Sequence, residues 1–183
     1  MSLSIDLHLP KVHSKEPAKT SPPKDFLIGT WHVTHSSLPL WKKKRNVKIT
    51  YKPLPSSAET DTMKLDDLVE YQTLTSETIK SVHGIDTPSP GNPGSWDWRG
   101  KGLLVIASSH WECLGHGSLA DGNQWVVTYF AKTLFTPPGI DIYSRNKDGL
   151  EVGFVDRLLA ALGGFGIEEI TRLVGDMFEI PRS

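Results

Sequence analysis

The chain has 183 residues, enough for one domain with a sizeable core and few for two. Its 20 Lys and Arg against 21 Asp and Glu give a net charge of -1, which excludes attraction to nucleic acid or an acidic membrane through overall charge. The one cysteine, Cys113, excludes an internal disulfide, and with no signal peptide and no run of 18 apolar residues we expect a cytoplasmic protein without a membrane span.

The first 24 residues are rich in Pro, Lys and Ser, and only Leu3, Ile5, Leu7 and Leu9 alternate there. This composition predicts a flexible N-terminal arm over residues 1–24 that packs at most one short strand and is dispensable for folding. Residues 25–183 are predicted to form a single domain. No motif in the arm indicates a protein partner.

The middle of the chain has the period of two that is typical of β-strands. We predict strands at about 28–36, 46–53, 67–75, 77–85, 97–113, 124–135 and 139–145, with the long fifth segment bent or split. The mainly β fold expected from this pattern is a closed or nearly closed antiparallel barrel, because closure hides the sheet edges. A two-sheet sandwich is the structural alternative.

Two helices are predicted after the strands. Phe154, Val155, Leu158, Leu159 and Leu162 fall on one helical face, and Gly163-Gly164 ends this first helix, expected over residues 150–162. A second short helix has Glu168 and Glu169 in its first turn and Pro181 beyond its end. We expect the first helix to pack on the outside of the barrel.

Gly29-Thr30-Trp31 on the first strand resembles the Gly-x-Trp signature of the lipocalins and the wider calycin group. In such barrels the tryptophan closes one end and an arginine from the end of the last strand packs across it, a place that Arg145 would take here. The resemblance covers roughly residues 26–162 and implies a barrel with a small-molecule cavity. The chain differs from the secreted lipocalins in lacking a cysteine pair and a signal peptide, so we expect an intracellular variant.

Alternation along each strand predicts which side chains face the barrel interior. Val47, Ile49 and Tyr51 oppose the lysines of their strand, and Val69 and Tyr71 oppose Glu70 and Gln72. By the same rule the inner set would include His35, Ile79, Ser81, His83, Ser109, Trp111, Cys113, Trp125, Val127, Tyr129 and Ala131.

The predicted cavity lining is too polar for a packed core, because each buried polar group without a partner costs roughly 1–3 kcal/mol. Aromatic walls with a few polar groups are typical of a small-molecule site. The predicted ligand-binding residues are His35, Tyr51, Ser109, Trp111 and Trp125. We expect the chain to bind a hydrophobic or aromatic small molecule in secondary metabolism, without a cofactor.

The alternative is a cofactor-independent cyclase, isomerase or lyase of the kind found among lipocalin-like barrels. A buried His83 would then serve as the general base, and Tyr129 or Tyr71 would donate a hydrogen bond to a developing oxyanion. The same cavity would thus hold catalytic rather than only binding groups.

A third hypothesis is a metal-dependent barrel enzyme. His110 and Glu112 share a strand face and His116 is close by, so "HWECLGH" could supply three metal ligands. The spacing resembles part of a cupin motif, but no histidine occurs after His116. The basic run "WKKKRNVK" is typical of a solvated loop, and no phosphate-binding or hydrolase motif is present.

Overall fold

The structure is a computed structural model that describes residues 4–16, 21–23, 25–55 and 63–183. Eight antiparallel strands, each paired with its neighbours in the chain, form a barrel: β1 Gly29–Ser36, β2 Lys44–Leu54, β3 Lys64–Thr73, β4 Lys80–Pro88, β5 Ser95–Gly100, β6 Ser108–Ser118, β7 Gln124–Phe130 and β8 Gly139–Ser144. Pairing of β1 with β8 closes the barrel. The predicted barrel is confirmed, and the alternative sandwich is wrong.

The predicted strand 97–113 is split in two. β5 ends at Gly100, and a loop with a 3-10 turn at Gly102–Leu104 leads to β6. Gly102 has a φ of 60°, a left-handed conformation that a glycine adopts readily. The backbone reversal at this glycine explains why one long apolar segment forms two strands.

Two helices follow the barrel, α1 at Val152–Gly163 and α2 at Glu168–Gly175, and a short strand β9 at Phe178–Glu179 pairs with β1. The predicted apolar face of α1 is buried through Phe154, Val155, Leu158 and Leu162. No helix within the described ranges is both long and apolar enough to cross a membrane.

The barrel wall separates two apolar cores. The inner core includes Trp31, Ile49, Tyr51, Trp111 and Tyr143. The outer core lies between the outer face of the last strands and the helices, and its members include Leu114, Trp125, Val127, Tyr129, Ile140, Ile142, Phe154, Leu158, Leu162, Ile170 and Leu173. Strands β7 and β8 are therefore buried on both faces.

The described part of the N-terminal arm runs along β6. The backbone N–H of His8 donates to the carbonyl of Leu114 at 2.9 Å, and Ile5, Leu7 and Leu9 pack against the outer core. Leu3 lies outside the described residues. The domain boundary after residue 24 stays a prediction.

Trp31 and Arg145 close one end of the barrel. The guanidinium carbon of Arg145 lies 3.7 Å from the Trp31 ring centroid, and its nitrogens donate to the carbonyls of Phe26, Ile28 and Thr30 at 2.6–3.0 Å. Gly29 has a φ of 100°, and a Cβ there would lie 3.1 Å from an Arg145 nitrogen. The glycine of the signature thus allows the left-handed turn beside the arginine.

Candidate functional site

The barrel encloses a cavity of about 390 Å³ at the end opposite Trp31. Three loops surround its opening, residues 37–43, 101–107 and 131–138, and they contribute Leu38, Leu40, Trp41, Ile106, Ala107, Thr133, Leu134, Phe135 and Thr136 to the lining. Ile106, Leu134 and Phe135 are 88–96% exposed. The entrance is therefore apolar and open.

One wall of the cavity is aromatic. Trp111 on β6 stacks between Tyr51 and Trp96, with a ring-centroid distance of 5.9 Å to each. Phe130 lies 6.5 Å from Trp111, and Ile49 and Val69 add aliphatic surface. Flat aromatic side chains of this kind supply large apolar contact areas to a ligand.

A pair of buried carboxyl groups forms part of the inner wall. Asp67 on β3 lines the cavity, and Asp86 on the neighbouring strand β4 lies behind it, with Trp111 donating its indole N–H to Asp86 at 2.8 Å. Burial raises the pKa of Asp86 to about 7. Burial, followed by the charge of Asp86, raises the pKa of Asp67 well above its ordinary value.

A third carboxyl group, Asp141 on β8, lines another part of the cavity. The hydroxyl of Ser36 donates to one of its oxygens, and the indole N–H of Trp41 approaches the other at 3.4 Å. Burial raises the pKa of Asp141 to about 7, although both donors favour the charged form. All three carboxyls therefore favour the neutral form more than a solvated aspartate does.

Of the predicted site residues, Tyr51, Ser109 and Trp111 line this cavity. Tyr71 packs against the inner core beside Trp41, with ring centroids 6.0 Å apart, and Lys44 lies 4.5 Å above its ring. The aromatic group of Tyr71 is thus near the site but is not part of its lining.

The inward orientation predicted for His83 is wrong. Val82 and Asp86 are the β4 residues on the inner side, whereas His83 is exposed and contacts Asp66 on the outside at 3.0 Å. Ile79 and Ser81 are exposed as well. The predicted alternation was displaced by one residue, which reverses every side chain of a strand.

The predicted orientation of Trp125 and Tyr129 is also wrong. Both side chains belong to the outer core, and the Tyr129 hydroxyl donates to Glu169 of α2 at 2.8 Å. The inner positions of β7 are held by Val126 and Phe130. The helices bury the outer face of β7, so apolar residues there do not mark the barrel interior.

A bulge accounts for the misplacement of His35. The pairing of β1 with β8 shifts between Val33 and His35, so that His35 lies opposite Ile142 of the outer core. Ser36 takes the inner position and reaches Asp141. A bulge adds one residue to a strand and thereby reverses the alternation beyond it.

The three predicted metal ligands do not come together. His110 and Glu112 share the outer face of β6, with His110 Nε2 3.6 Å from Glu112 Oε1. The backbone N–H of Lys11 donates to both carboxylate oxygens of Glu112. His116 lies beyond a bulge at Cys113–Gly115 and stacks edge-on against Phe26 at 4.9 Å. The described residues contain no cluster of three or more groups suited to a metal ion.

Sequence reasoning missed the three inner carboxyls because aspartate was assumed to face water. Asp67 is two residues before Val69 and four before Tyr71, on the face already predicted to point inward. Asp141 alternates with Tyr143 between buried isoleucines in "GIDIYS". An aspartate at a position where the alternation predicts an inward-facing apolar side chain was therefore the sequence signal for the site.

A larger surface groove of about 810 Å³ runs along the outer face of β5. Its lining includes Lys64, Arg99, Lys101 and Lys132. We assign the candidate site to the smaller cavity, because that cavity brings buried ionisable groups together with apolar walls.

Solved structures with similar folds are lipocalin-type proteins. Lobster apocrustacyanin A1 matches with a TM-score of 0.57 and 11% identity, covering 88% of this chain and 81% of that one. The siderocalin Ex-FABP matches with a TM-score of 0.54 and 10% identity over 86% and 95% of the two chains. A biogenic amine-binding protein gives 0.55 and 15% over 91% and 85%. These likenesses establish a lipocalin-type barrel fold.

No family model matches the chain. A curated relative, the botcinic acid biosynthesis cluster B protein 12 of Botryotinia fuckeliana (strain B05.10), is 30% identical over an alignment of 164 residues that covers 86% of this chain and 74% of the relative. Such identity over most of both chains, together with the lipocalin-type barrel, shows that the chain belongs to the same family as this biosynthesis-cluster protein.

Proposed function

We propose that the barrel binds a hydrophobic or aromatic small molecule of secondary metabolism in its 390 Å³ cavity. The observation that carries this proposal is the combination of an aromatic wall with buried polar groups behind an open, apolar entrance. Such a site holds the apolar body of a ligand and orients its few polar atoms.

The size of the cavity supports a compact ligand. Its volume is within the range of about 300–1,000 Å³ that is common for small-molecule sites. Burial of ten ligand carbons would contribute roughly 8 kcal/mol to binding before the costs of association are subtracted. Apolar burial alone would therefore give a dissociation constant no lower than about micromolar.

The family supports a role in biosynthesis. The name of the relative assigns that protein to a botcinic acid biosynthesis cluster. For this chain we propose the same general role, which is a step in the formation or handling of a secondary metabolite. The proposal keeps the cytoplasmic location predicted from the sequence.

Native mass spectrometry of the protein purified from its own cells tests the binding proposal. We expect an adduct of small-molecule mass that is lost in Ser109→Trp, because the new indole would fill the cavity that Ser109 lines. Ser81→Trp is the matched control, since Ser81 is exposed on β4. An adduct retained equally by both folded variants would contradict binding in the cavity.

The second candidate function is a cofactor-independent cyclase, isomerase or lyase. The raised pKa values of Asp86 and Asp141, both about 7, favour this candidate, because groups that titrate near neutral pH can both give and accept protons. His83 and Tyr129 lie outside the cavity, so the inner carboxyls replace them as the candidate acid and base.

A further inference from the structure

We propose that Asp67 and Asp86 share one proton and work with Asp141 as a proton-transfer site for a neutral, enolisable carbonyl compound. The inference rests on the proposed function, because the same cavity must hold that compound. It adds the chemical class of the ligand and the roles of three residues that sequence reasoning did not identify.

The pair is enclosed, and no cation of the described part of the chain contacts it. Asp67 is 5% exposed and Asp86 is fully buried. Asp67 Oδ1 and Asp86 Oδ2 have no hydrogen-bond donor among the described residues. Two adjacent carboxylates in such surroundings cannot both be ionised at reasonable cost, so one proton held between them satisfies both free oxygens.

The surroundings make Asp67 the member of the pair that acts on a ligand. Trp111 donates its indole N–H to Asp86, which favours the charged form of that group. Trp98 acts on Asp67 in the same direction, but burial and the charge of Asp86 outweigh it and hold the pKa of Asp67 well above its ordinary value. Asp67 is also the member of the pair that lines the cavity. Tyr51 lies opposite Asp67 on β2 and also lines the cavity. A bound molecule would therefore accept a hydrogen bond from the pair through Asp67.

Asp141 is the base of the site, because a pKa raised only to about 7 leaves a large fraction of this group as the carboxylate near neutral pH. It accepts hydrogen bonds from Ser36 and Trp41, and these donors stabilise a carboxylate. It is on β8, separated from Asp67 on β3 by the strands β1 and β2. One molecule in the cavity can thus contact an acid on one side and a base on the other.

The proposed reaction needs no oxidant, reductant or added group. Asp141 carboxylate removes a proton from the carbon next to the carbonyl, and this C–H bond breaks. Its electron pair moves onto the carbonyl oxygen, which accepts a hydrogen bond from Asp67 while the shared proton stays on the pair. Asp141 then returns its proton to the same carbon of the enolate, or to a different carbon of a conjugated enolate, and the second outcome gives an isomer with the same atoms and electrons.

The charge of the site selects among ligands. An anionic ligand would meet Asp67 and Asp141, with Asp86 beside Asp67, and no cation among the described residues that line the cavity, so the cavity disfavours it. A neutral ketone accepts a hydrogen bond from Asp67 and leaves the one shared proton on the pair. An amine would instead take the proton of the pair and remain as a bound ammonium ion, which provides the competing outcome of the test.

The first measurement examines the pair directly. Protein labelled with ¹³C at the aspartate carboxyl is titrated by NMR, alongside Asp86→Asn and the control Asp97→Asn, whose carboxyl is exposed on the outer face of β5. We expect carboxyl signals that still titrate above pH 6, with the Asp67 signal changed by Asp86→Asn and not by Asp97→Asn. Titration of Asp67 and Asp86 as ordinary, independent aspartates would overturn the proposal.

The second measurement uses 2-tetralone, an apolar and enolisable ketone, incubated with the protein in deuterated water. We expect exchange of its α-hydrogens to exceed the buffer rate at least a hundredfold, the low end of general acid–base catalysis. Asp67→Asn and Asp141→Asn should each lose at least tenfold of this acceleration, and Asp97→Asn should retain it. Exchange no faster than in buffer, or unaffected by these variants, would overturn the proposal.

Quenching of tryptophan fluorescence by the same ketone separates the two proposals. A ketone that quenches the tryptophan fluorescence without exchanging its hydrogens leaves ligand binding in place and overturns only proton transfer. A protein that neither binds the ketone nor carries a native adduct contradicts both proposals. Tight binding of 2-aminotetralin, with 2-tetralone bound but not exchanged, would assign the carboxyls to an ammonium ligand instead.

Discussion

Asp141 gives a prediction about stability and pH. Burial raises its pKa in the folded state from the ordinary 3.8 to about 7, so the folded protein holds a proton that the unfolded chain has lost. The stabilising contribution is complete below about pH 4 and is lost as the pH rises towards about 7, by roughly 4 kcal/mol in total.

Chemical denaturation of the wild type and of Asp141→Asn at several pH values between 4 and 8 tests this prediction. The variant keeps an acceptor for Ser36 and cannot ionise, so its stability relative to the wild type should increase with pH. Comparison with the wild type at each pH removes the contributions of the other titrating groups. A constant difference across this interval would contradict a raised pKa at Asp141.

Arg145 gives a second prediction at this scale. Arg145→Ala would remove the donors to three carbonyls and the contact with Trp31, and we expect a loss of about 3 kcal/mol in the free energy of unfolding. Arg145→Lys should lose less stability than Arg145→Ala, because a lysine keeps the positive charge. Some loss should remain, because a lysine lacks the planar group that donates to several carbonyls.

The control is Arg157→Ala, since Arg157 is exposed on α1 and lies 5.1 Å from the ring of Phe154. Thermal and urea unfolding followed by circular dichroism give the comparison. Equal losses for Arg145→Ala and Arg157→Ala would show that the closed end does not depend on this arginine.

Two of the aromatic residues that line the cavity could be predicted from the sequence, and its carboxyl groups could not. Tyr51 and Trp111 were placed correctly, because lysines or ionisable groups mark the opposite face of their strands and that face is the outer one. Asp67 and Asp141 were missed, because a carboxyl becomes compatible with an interior only through its neighbours. Those neighbours, Asp86 and Ser36, come from distant parts of the sequence.

At the scale of elements, the N-terminal arm gives a third prediction. Deletion of residues 1–13 removes the packing of Leu7 against the outer core and the hydrogen bond from the Lys11 N–H to Glu112. It also removes the hydrogen bond between His13 Nε2 and Glu169 at 2.9 Å. We expect a loss of about 2 kcal/mol and a fall in melting temperature of roughly 4–8 °C.

Gly115 provides a matched test of the same contact. A Cβ at this position would lie 2.3 Å from Leu7 Cδ2 and 2.7 Å from the Asp6 carbonyl oxygen. Gly115→Ala should therefore lower the melting temperature of the full chain and have little effect on the truncated one. Equal melting temperatures of the full and truncated chains would instead support the dispensable arm that the sequence predicts.

The elements also explain which strands the sequence could describe. Strand β2 has one apolar face and one charged face, and β3 departs from this pattern only at Asp67 and Leu68, so the alternation of both strands gave the correct orientation. Strand β7 is almost continuously buried, because α1 and α2 cover its outer side, and alternation there carries no information about the cavity. The bulges in β1 and β6 reverse the inward and outward alternation of the residues that follow them. The strand propensity of the residues does not show where such a bulge lies.

At the scale of the whole molecule, the open end gives a fourth prediction. Leu134 and Phe135 are about nine-tenths or more exposed at the entrance, so Leu134→Ser with Phe135→Ser should change the free energy of unfolding by no more than about 0.5 kcal/mol. The same change should weaken 2-tetralone binding severalfold, because these side chains line the outer part of the cavity.

Val152→Ser is the control for this experiment, since Val152 is 77% exposed at the start of α1 and does not line the cavity. Fluorescence titration gives the affinity, and urea unfolding gives the stability. An unchanged affinity in the double variant would show that the apolar entrance takes no part in binding.

The separation of the inner and outer cores has a consequence for how this family can change. Each strand of β6, β7 and β8 contributes one set of side chains to the cavity side and another to the layer beneath the helices and the arm. A substitution on the cavity side leaves that second layer and its folding contacts in place. During evolution, or in the laboratory, the residues of the inner wall can therefore be substituted to fit a different metabolite while the same scaffold persists. Orthologous chains should diverge faster on the cavity face of these strands than on the face beneath the helices.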